Sequence, residues 1–94
     1  MNITWYERED FEKMRALGSN ADDMSETYDK WLAGIKKAET EALKEGIIFT
    51  KIVIKSDELA AWCRSQGMKI NREARLAFTN FKVAEASGFF DKGG

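Results

Sequence analysis

The sequence predicts a mainly helical α+β domain in which about four helices pack around one main β-strand. Residues 47–55 read Ile-Ile-Phe-Thr-Lys-Ile-Val-Ile-Lys, a run of β-branched residues that favours a strand. On both sides of this run, apolar residues recur at three- and four-residue intervals, which is typical of amphipathic helices. The 94 residues, 44% of them hydrophobic, suffice for one core. We therefore expect a single domain over residues 1–94, with residues 87–94 as a C-terminal tail.

The first predicted helix covers residues 5–17. Thr4 and Glu7 have the spacing of a capping box, in which a hydroxyl and a carboxylate satisfy the first free amides of a helix. Gly18 follows, and glycine readily takes the left-handed conformation that ends a helix. These signals place the start of this helix very close to the N-terminus.

The second predicted helix, residues 24–45, is the longest and ends before Gly46. Gly34 lies inside it and costs about 1 kcal/mol relative to alanine, so we expect a neighbouring element to approach closely there. The apolar residues of this helix fall on one face: Tyr28, Trp31, Leu32, Ile35, Ala38, Ala42 and Leu43.

The strand at residues 47–55 follows directly. Side chains alternate along a strand, so Ile48, Thr50, Ile52 and Ile54 share one face, which we expect to be buried. The isoleucines of this face are expected to cover the apolar row of the preceding helix. The other face is mixed because it carries two lysines.

A strand requires hydrogen-bond partners, and the sequence offers three. A short N-terminal strand, Asn2–Trp5, pairs with it if the first helix begins later than predicted. Met68–Ile70 supplies only a few bonds. In the third arrangement, the same strand of a second molecule pairs antiparallel with it, which makes an isologous dimer. Because both internal segments are shorter than residues 47–55, we expect a homodimer that forms through this strand or through the helices.

Two further helices are predicted at residues 57–66 and 72–86. Ser56 and Asn71 are residue types that cap helix N-termini, and each directly precedes one of these helices. Gly67 ends the first of them.

The helix pair at residues 56–82 superficially resembles a helix-turn-helix. Residues 64–82 carry four more basic than acidic side chains, which suits contacts with phosphates. Against this interpretation, the whole chain has a net charge of −1 and a pI near 5.5. Nucleic-acid binding through this pair is therefore the alternative function and not the leading one.

The composition excludes several kinds of catalytic site. The chain has no histidine, which removes the commonest general base and transition-metal ligand. The single cysteine, Cys63, forms no internal disulfide and is expected to be a small buried apolar residue. No glycine-rich phosphate loop and no calcium-loop spacing occur in the sequence. We predict no catalytic residues, no metal site and no cofactor, and we predict that the protein is not an enzyme.

The leading hypothesis is a non-enzymatic protein-interaction or assembly module. No apolar run is long enough to span a membrane, and the N-terminus lacks a secretory signal, so we expect a cytoplasmic protein. A second copy or another protein is expected to bind at the strand edge, at the basic face of the last two helices, or at the tail. The residues of this candidate surface are Ile47, Phe49, Lys51, Val53, Arg64, Lys69, Arg72, Arg75, Phe89 and Phe90.

One pattern extends over residues 24–82. It combines Tyr28-Asp29-Lys30-Trp31-Leu32, the strand, Asp57-Glu58-Leu59-Ala60-Ala61-Trp62-Cys63, Gly67, and Ala74-Arg75 with Phe78. This pattern resembles that of small uncharacterised bacterial proteins of unknown function. The resemblance implies a bacterial, cytoplasmic origin, and it implies no activity and no site residue.

Overall fold

The computed structural model describes residues 1–86. In chain order the elements are strand β1 (Asn2–Trp5), helices α1 (Phe11–Ala16) and α2 (Tyr28–Lys44), strand β2 (Thr50–Val53), and helices α3 (Ser56–Gln66) and α4 (Arg72–Ala86). Single 3-10 turns occur at Arg8–Asp10 and Asn20–Asp22. The mainly helical α+β class predicted from the sequence is confirmed.

The two strands form a parallel two-stranded sheet. Asn2 lies beside Thr50, and Trp5 lies beside Val53. Of the three predicted partners, the N-terminal segment is therefore the one that pairs with this strand within residues 1–86. The observed strand is shorter than the predicted range 47–55 because the four residues of β1 support a ladder of only four residues.

The first helix begins at Phe11 and not at residue 5. The predicted capping box of Thr4 and Glu7 is wrong, since Thr4 lies in β1 and its hydroxyl oxygen is 2.6 Å from that of Thr79 in α4. Pairing with β2 holds this segment extended, and that tertiary contact overrides the local helix signal.

Helix α2 begins at Tyr28, later than the predicted residue 24, because Thr27 is its N-cap. The hydroxyl oxygen of Thr27 accepts a hydrogen bond from the backbone N–H of Lys30 at 3.1 Å. The close approach predicted at Gly34 is wrong, since a Cβ placed there would meet nothing within 4 Å among the described residues. No residue of α2 is fully buried, so this helix is attached to the domain along one side only.

Different helices cover the two faces of the sheet. Trp5 packs edge-on against Trp31 of α2, with ring centroids 4.8 Å apart. The preceding residue, Thr4, points to the opposite face and contacts α4. Ile52 is the register partner of Thr4 and shares its face, as does Ile54 two residues later. The predicted contact between the isoleucine row and α2 is therefore wrong, because this row lies on the α4 side of the sheet.

The core lies between the sheet, α1, α3 and α4. Its buried apolar residues are Tyr6, Phe11, Met14, Met24, Ile54, Leu59, Cys63, Ala74 and Phe78. Burial of the strand's isoleucine face is confirmed at Ile54. It is wrong at Ile48, which is 65% exposed because β2 begins only at Thr50.

The last two helices match their predicted ranges, 57–66 and 72–86, to within one residue. The predicted cap of α4 is confirmed, since Asn71 Oδ1 accepts a hydrogen bond from the third amide of the helix at 2.9 Å. The predicted cap of α3 is wrong, because Ser56 is its first helical residue. Instead, the carboxylate of Asp10 accepts hydrogen bonds from Ser56 N at 2.7 Å and Ser56 Oγ at 2.6 Å. A residue far away in sequence thus caps this helix.

Candidate functional site

The strand residues of the predicted interaction surface lie at the start of β2 and within it. Ile47 and Phe49 precede the strand, and Lys51 and Val53 share the sheet face of Trp5. The ammonium group of Lys51 lies over the Trp5 ring, 4.5 Å from its centroid. Phe49 and Val53 are half-buried, so this part of the surface is partly closed within the chain.

The basic residues of the predicted surface differ in exposure. Arg64, Lys69 and Arg72 are exposed, on α3, on the following turn and at the start of α4. Arg75 is only 5% exposed. A phosphate backbone at the surface would therefore meet the first three side chains but not this guanidinium. The tail phenylalanines at 89–90 lie outside the described residues.

Arg75 is the centre of a buried polar cluster. Its Nε donates a hydrogen bond to Tyr6 Oη at 2.9 Å, its Nη1 donates to Asn20 Oδ1, and its Nη2 donates to Asp23 Oδ1 at 2.9 Å. Asn20 is itself buried and donates to Met14 O at 2.8 Å. Burial raises the pKa of the Tyr6 phenol, and the positive charge of Arg75 opposes this shift without cancelling it. The charge of Arg75 is thus compensated within the chain by Asp23.

A pair of hydroxyl groups joins β1 to α4 beside this cluster. Thr79 Oγ1 donates its only proton to the carbonyl oxygen of Arg75 at 2.8 Å. Thr4 Oγ1 therefore donates to Thr79 Oγ1, at 2.6 Å. These contacts fix the distance between the strand and the helix.

A groove of about 540 Å³ opens between α2 and α4 along β1. Its wall on the α2 side includes Trp31 and Ile35, and its wall on the α4 side includes Arg72 and Leu76. Leu76 is 46% exposed, although the apolar side chains of Trp31 and Ile35 line the same groove. The volume lies within the usual range for ligand sites, and the lining combines apolar walls with a few polar groups.

The floor of this groove is an unpaired strand edge. Thr50 N donates a hydrogen bond to Met1 O at 2.8 Å, and the parallel ladder repeats at every second residue, so the odd-numbered residues of β1 face β2. Asn2 and Thr4 consequently direct their backbone N–H and C=O groups away from β2. Among residues 1–86 these outward groups have no hydrogen-bond partner. An open strand edge of this kind is a template for another extended segment.

A second surface is a stripe along α2, which we call the α2 stripe. Leu32, Lys36, Glu39 and Leu43 recur at intervals of four, three and four residues and therefore share one face of the helix. Leu43 is 53% exposed. Neither Lys36 nor Glu39 takes part in an ion pair within the part of the chain that the structure describes. Lys36 is exposed, whereas Leu32 and Glu39 are half-buried, so the stripe offers parts of two leucines and of two opposite charges to a partner.

Cys63 is 1% exposed on the inner face of α3, and burial raises the pKa of its thiol. A raised pKa reduces the thiolate fraction at neutral pH, and the thiolate is the reactive form. The expectation of a small buried apolar residue at this position is therefore confirmed.

Two further surveys concern residues 1–86 only. In this range no group of three or more cysteine, aspartate or glutamate side chains is placed to hold a metal ion. The helices in the same range are all too short or too polar to cross a membrane.

Comparison with known proteins finds no matching family model, no matching curated protein and no matching solved structure. The resemblance of residues 24–82 to small uncharacterised bacterial proteins therefore stays a prediction.

The sequence analysis did not identify the groove or the cluster around Arg75. Tyr6, Asn20 and Asp23 lie in separate segments that precede α2, and no sequence spacing connects them with α4. One signal was available, because Arg75 flanks the apolar face of its helix, next to Ala74 and Phe78. An arginine in that position requires internal partners.

Proposed function

We propose that this chain is a non-enzymatic protein-interaction module that acts as a homodimer through the α2 stripe. The observation that carries the proposal is the self-complementarity of this stripe. When two copies of α2 pair antiparallel, Leu32 of one copy lies opposite Leu43 of the other, and Lys36 lies opposite Glu39. Both pairs have the same midpoint, so a single two-fold axis generates all of them.

The charged pair at the centre of the stripe selects the orientation. In a parallel pairing, Lys36 would face Lys36 and Glu39 would face Glu39, which is repulsive. In the antiparallel pairing each charge meets its opposite, as charged positions do in coiled coils. The leucines at the two ends supply apolar burial, worth less than the roughly 1.5–3 kcal/mol of a complete transfer from water for each side chain, because both leucines are already partly covered within the chain.

The apolar surface continues beyond the end of α2. Ile47 N donates a hydrogen bond to Ala42 O at 2.9 Å, which holds Ile47 against the last turn of the helix. The Met1 ammonium donates to Ile48 O at 2.8 Å, which places Met1 beside Ile48. Exposure is 38% for Ile47, 65% for Ile48 and 68% for Met1. Exposed apolar patches of this kind mark interaction sites, and Ile47 adjoins the end of α2 that carries Leu43.

Sedimentation velocity of the full chain over a micromolar concentration series tests the proposal. We expect a dimer for the wild-type chain and a monomer for Leu43→Glu, because the new carboxylate would be buried opposite a leucine. Leu76→Glu is the matched control, since Leu76 has a similar exposure of 46% but lies on α4 in the groove wall. This control stays dimeric. A wild-type chain that is monomeric at every concentration would overturn the proposal.

A charge-reversal experiment tests the antiparallel register. Lys36→Glu makes the centre of the stripe acidic in both copies, and Glu39→Lys makes it basic in both, so each variant alone is expected to dimerise about tenfold more weakly or worse. Mixed one to one, the two variants form a heterodimer because unlike charges meet again. A mixture that remains as monomeric as its components would show that the copies do not pair in this register.

A further inference from the structure

We propose that the groove along β1 binds an extended peptide segment of another protein, which adds as a strand to the free edge of β1 and places an acidic side chain beside Arg72. The inference deepens the proposed function, since it rests on the chain being an interaction module. It does not depend on the dimer, because the groove and the α2 stripe involve different residues.

The main-chain contacts come from the outward groups of Asn2 and Thr4. Each residue offers one N–H and one C=O that have no partner within residues 1–86. Thr4 is half-buried between the groove walls, so its unpaired groups are partly removed from water and gain from a partner. Strand addition to such an edge supplies affinity through the backbone and leaves specificity to the side chains.

The two groove walls set the side-chain pattern of the peptide. Because side chains alternate along a strand, one set of peptide side chains faces Trp31 and Ile35 on α2, and the other set faces α4. On α4, Leu76 offers an apolar contact and Arg72 a cationic one, at the same face of the helix. The four-residue rise between them, about 6 Å, matches the two-residue repeat of a strand, about 6.6 Å. The expected motif therefore has an acidic residue two positions from an apolar one, with a second apolar residue between them.

The charge of the groove favours an acidic peptide. Arg75 is already neutralised by Asp23 inside the protein. Arg72 is exposed and forms no ion pair with any other described residue, so it gives the groove one uncompensated positive charge.

A single strand fits this edge better than a second copy of the domain. The edge of β1 lies between α2 and α4, and both helices line the groove. A second sheet carrying its own helices would meet these two helices before its edge reached β1. An extended peptide segment carries no packed helices, so it can reach the edge of β1 between α2 and α4.

Panning of a phage-displayed random heptapeptide library against the full chain tests the inference. We expect enriched peptides to carry the apolar–apolar–acidic pattern and to bind Leu76→Glu about tenfold more weakly or worse, with an unchanged melting curve showing that this variant folds. Arg72→Glu shifts the preference from acidic to basic residues at the third position. Leu43→Glu, which blocks the dimer, and Met68→Glu, an exposed methionine outside the groove, bind the same peptides as the wild-type chain does.

N-methylated versions of the best peptide distinguish strand addition from binding by side chains alone. In an added strand, the N–H groups of every second residue point toward β1 and donate hydrogen bonds to it. We therefore expect N-methylation of these residues to abolish binding, and N-methylation of the residues between them to be tolerated. Equal tolerance of both registers, the absence of enriched peptides, or unchanged binding to Leu76→Glu would each overturn the inference. Peptide binding by a chain that never dimerises would overturn the homodimer alone, and a dimer that enriches no peptide would overturn the groove site alone.

Discussion

Nη2 of Arg75 lies 2.9 Å from Oδ1 of Asp23, and this ion pair joins α4 to the loop that precedes α2. The Arg75 side chain is 6% exposed and that of Asp23 is 37% exposed. The two ends of the pair therefore contribute differently to stability. The carboxylate is partly solvated, whereas the guanidinium depends on its internal partners.

We expect Arg75→Met to lower the free energy of unfolding by about 3–5 kcal/mol, because it leaves Asn20 and Tyr6 without their buried hydrogen bonds. Asp23→Asn keeps the hydrogen-bond acceptor but leaves the buried guanidinium without its compensating charge; because Asp23 itself is partly solvated, we expect a smaller cost of about 2 kcal/mol. Urea denaturation of both variants measures the difference. Equal losses would show that the ion pair, and not the internal hydrogen bonds, dominates.

Asp10 caps α3 from a distant part of the chain. Asp10→Ala leaves the Ser56 N–H and hydroxyl without their acceptor, and we expect a loss of about 1–2 kcal/mol in thermal or chemical unfolding. The control is Asp57→Ala, an exposed carboxylate in the first turn of the same helix, with an expected loss of about 0.5 kcal/mol. A smaller effect for the Asp10 variant than for this control would contradict the cap.

Substitution of two different glycines by alanine is expected to change the stability in opposite directions. Gly34→Ala meets open space in a helix interior and is expected to stabilise the protein by about 0.5–1 kcal/mol. Gly18→Ala is destabilising, because Gly18 has a φ of +50° and an added Cβ would collide with the carbonyl oxygen of Ile70. Differential scanning calorimetry of the two variants gives the signs directly, and the same sign for both would refute this comparison.

The burial of the Tyr6 phenol is expected to make the folded protein less stable in alkaline solution. Its folded-state pKa is raised above the ordinary value of 10.0, chiefly by burial, so the unfolded chain ionises first as the pH rises. The contribution is complete below about pH 10 and disappears as the pH rises through the folded-state pKa. We expect the Tyr6→Phe variant to lose less stability than the wild-type chain when urea denaturation is measured over this pH range. Parallel curves for the two proteins would argue against burial of the phenol as the cause.

Local signals predicted the C-terminal half of the fold well. The range of α4 was predicted from the Asn71 cap and a wide apolar face, both of which act within a few residues. The N-terminal half failed for the opposite reason. Thr4 and Glu7 carry a genuine capping pattern, but the partner that decides the conformation of Thr4 is β2, whose residues come more than forty positions later.

The candidate site was less predictable than the fold. The apolar residues of α2 were predicted from their periodicity to share one face, yet Leu32 and Leu43 lie on the α2 stripe with two charged residues, and the pattern does not say how much of the helix a short two-stranded sheet can cover. Leu43 remains 53% exposed because the sheet meets α2 mainly near Trp31. The groove depends on β1 lying between two helices, and no residue spacing encodes that arrangement.

The parallel pairing of Asn2 with Thr50 also has a consequence for the order of events during synthesis. β1 is synthesised before β2, so it has no ladder partner until the chain has grown past β2. Its contact through Thr4 with Thr79 requires nearly all of α4. Contacts between residues far apart in sequence form only when a long loop of chain is closed, which costs conformational entropy. We therefore expect the domain to fold late during synthesis, and slowly for a mainly helical chain of its size.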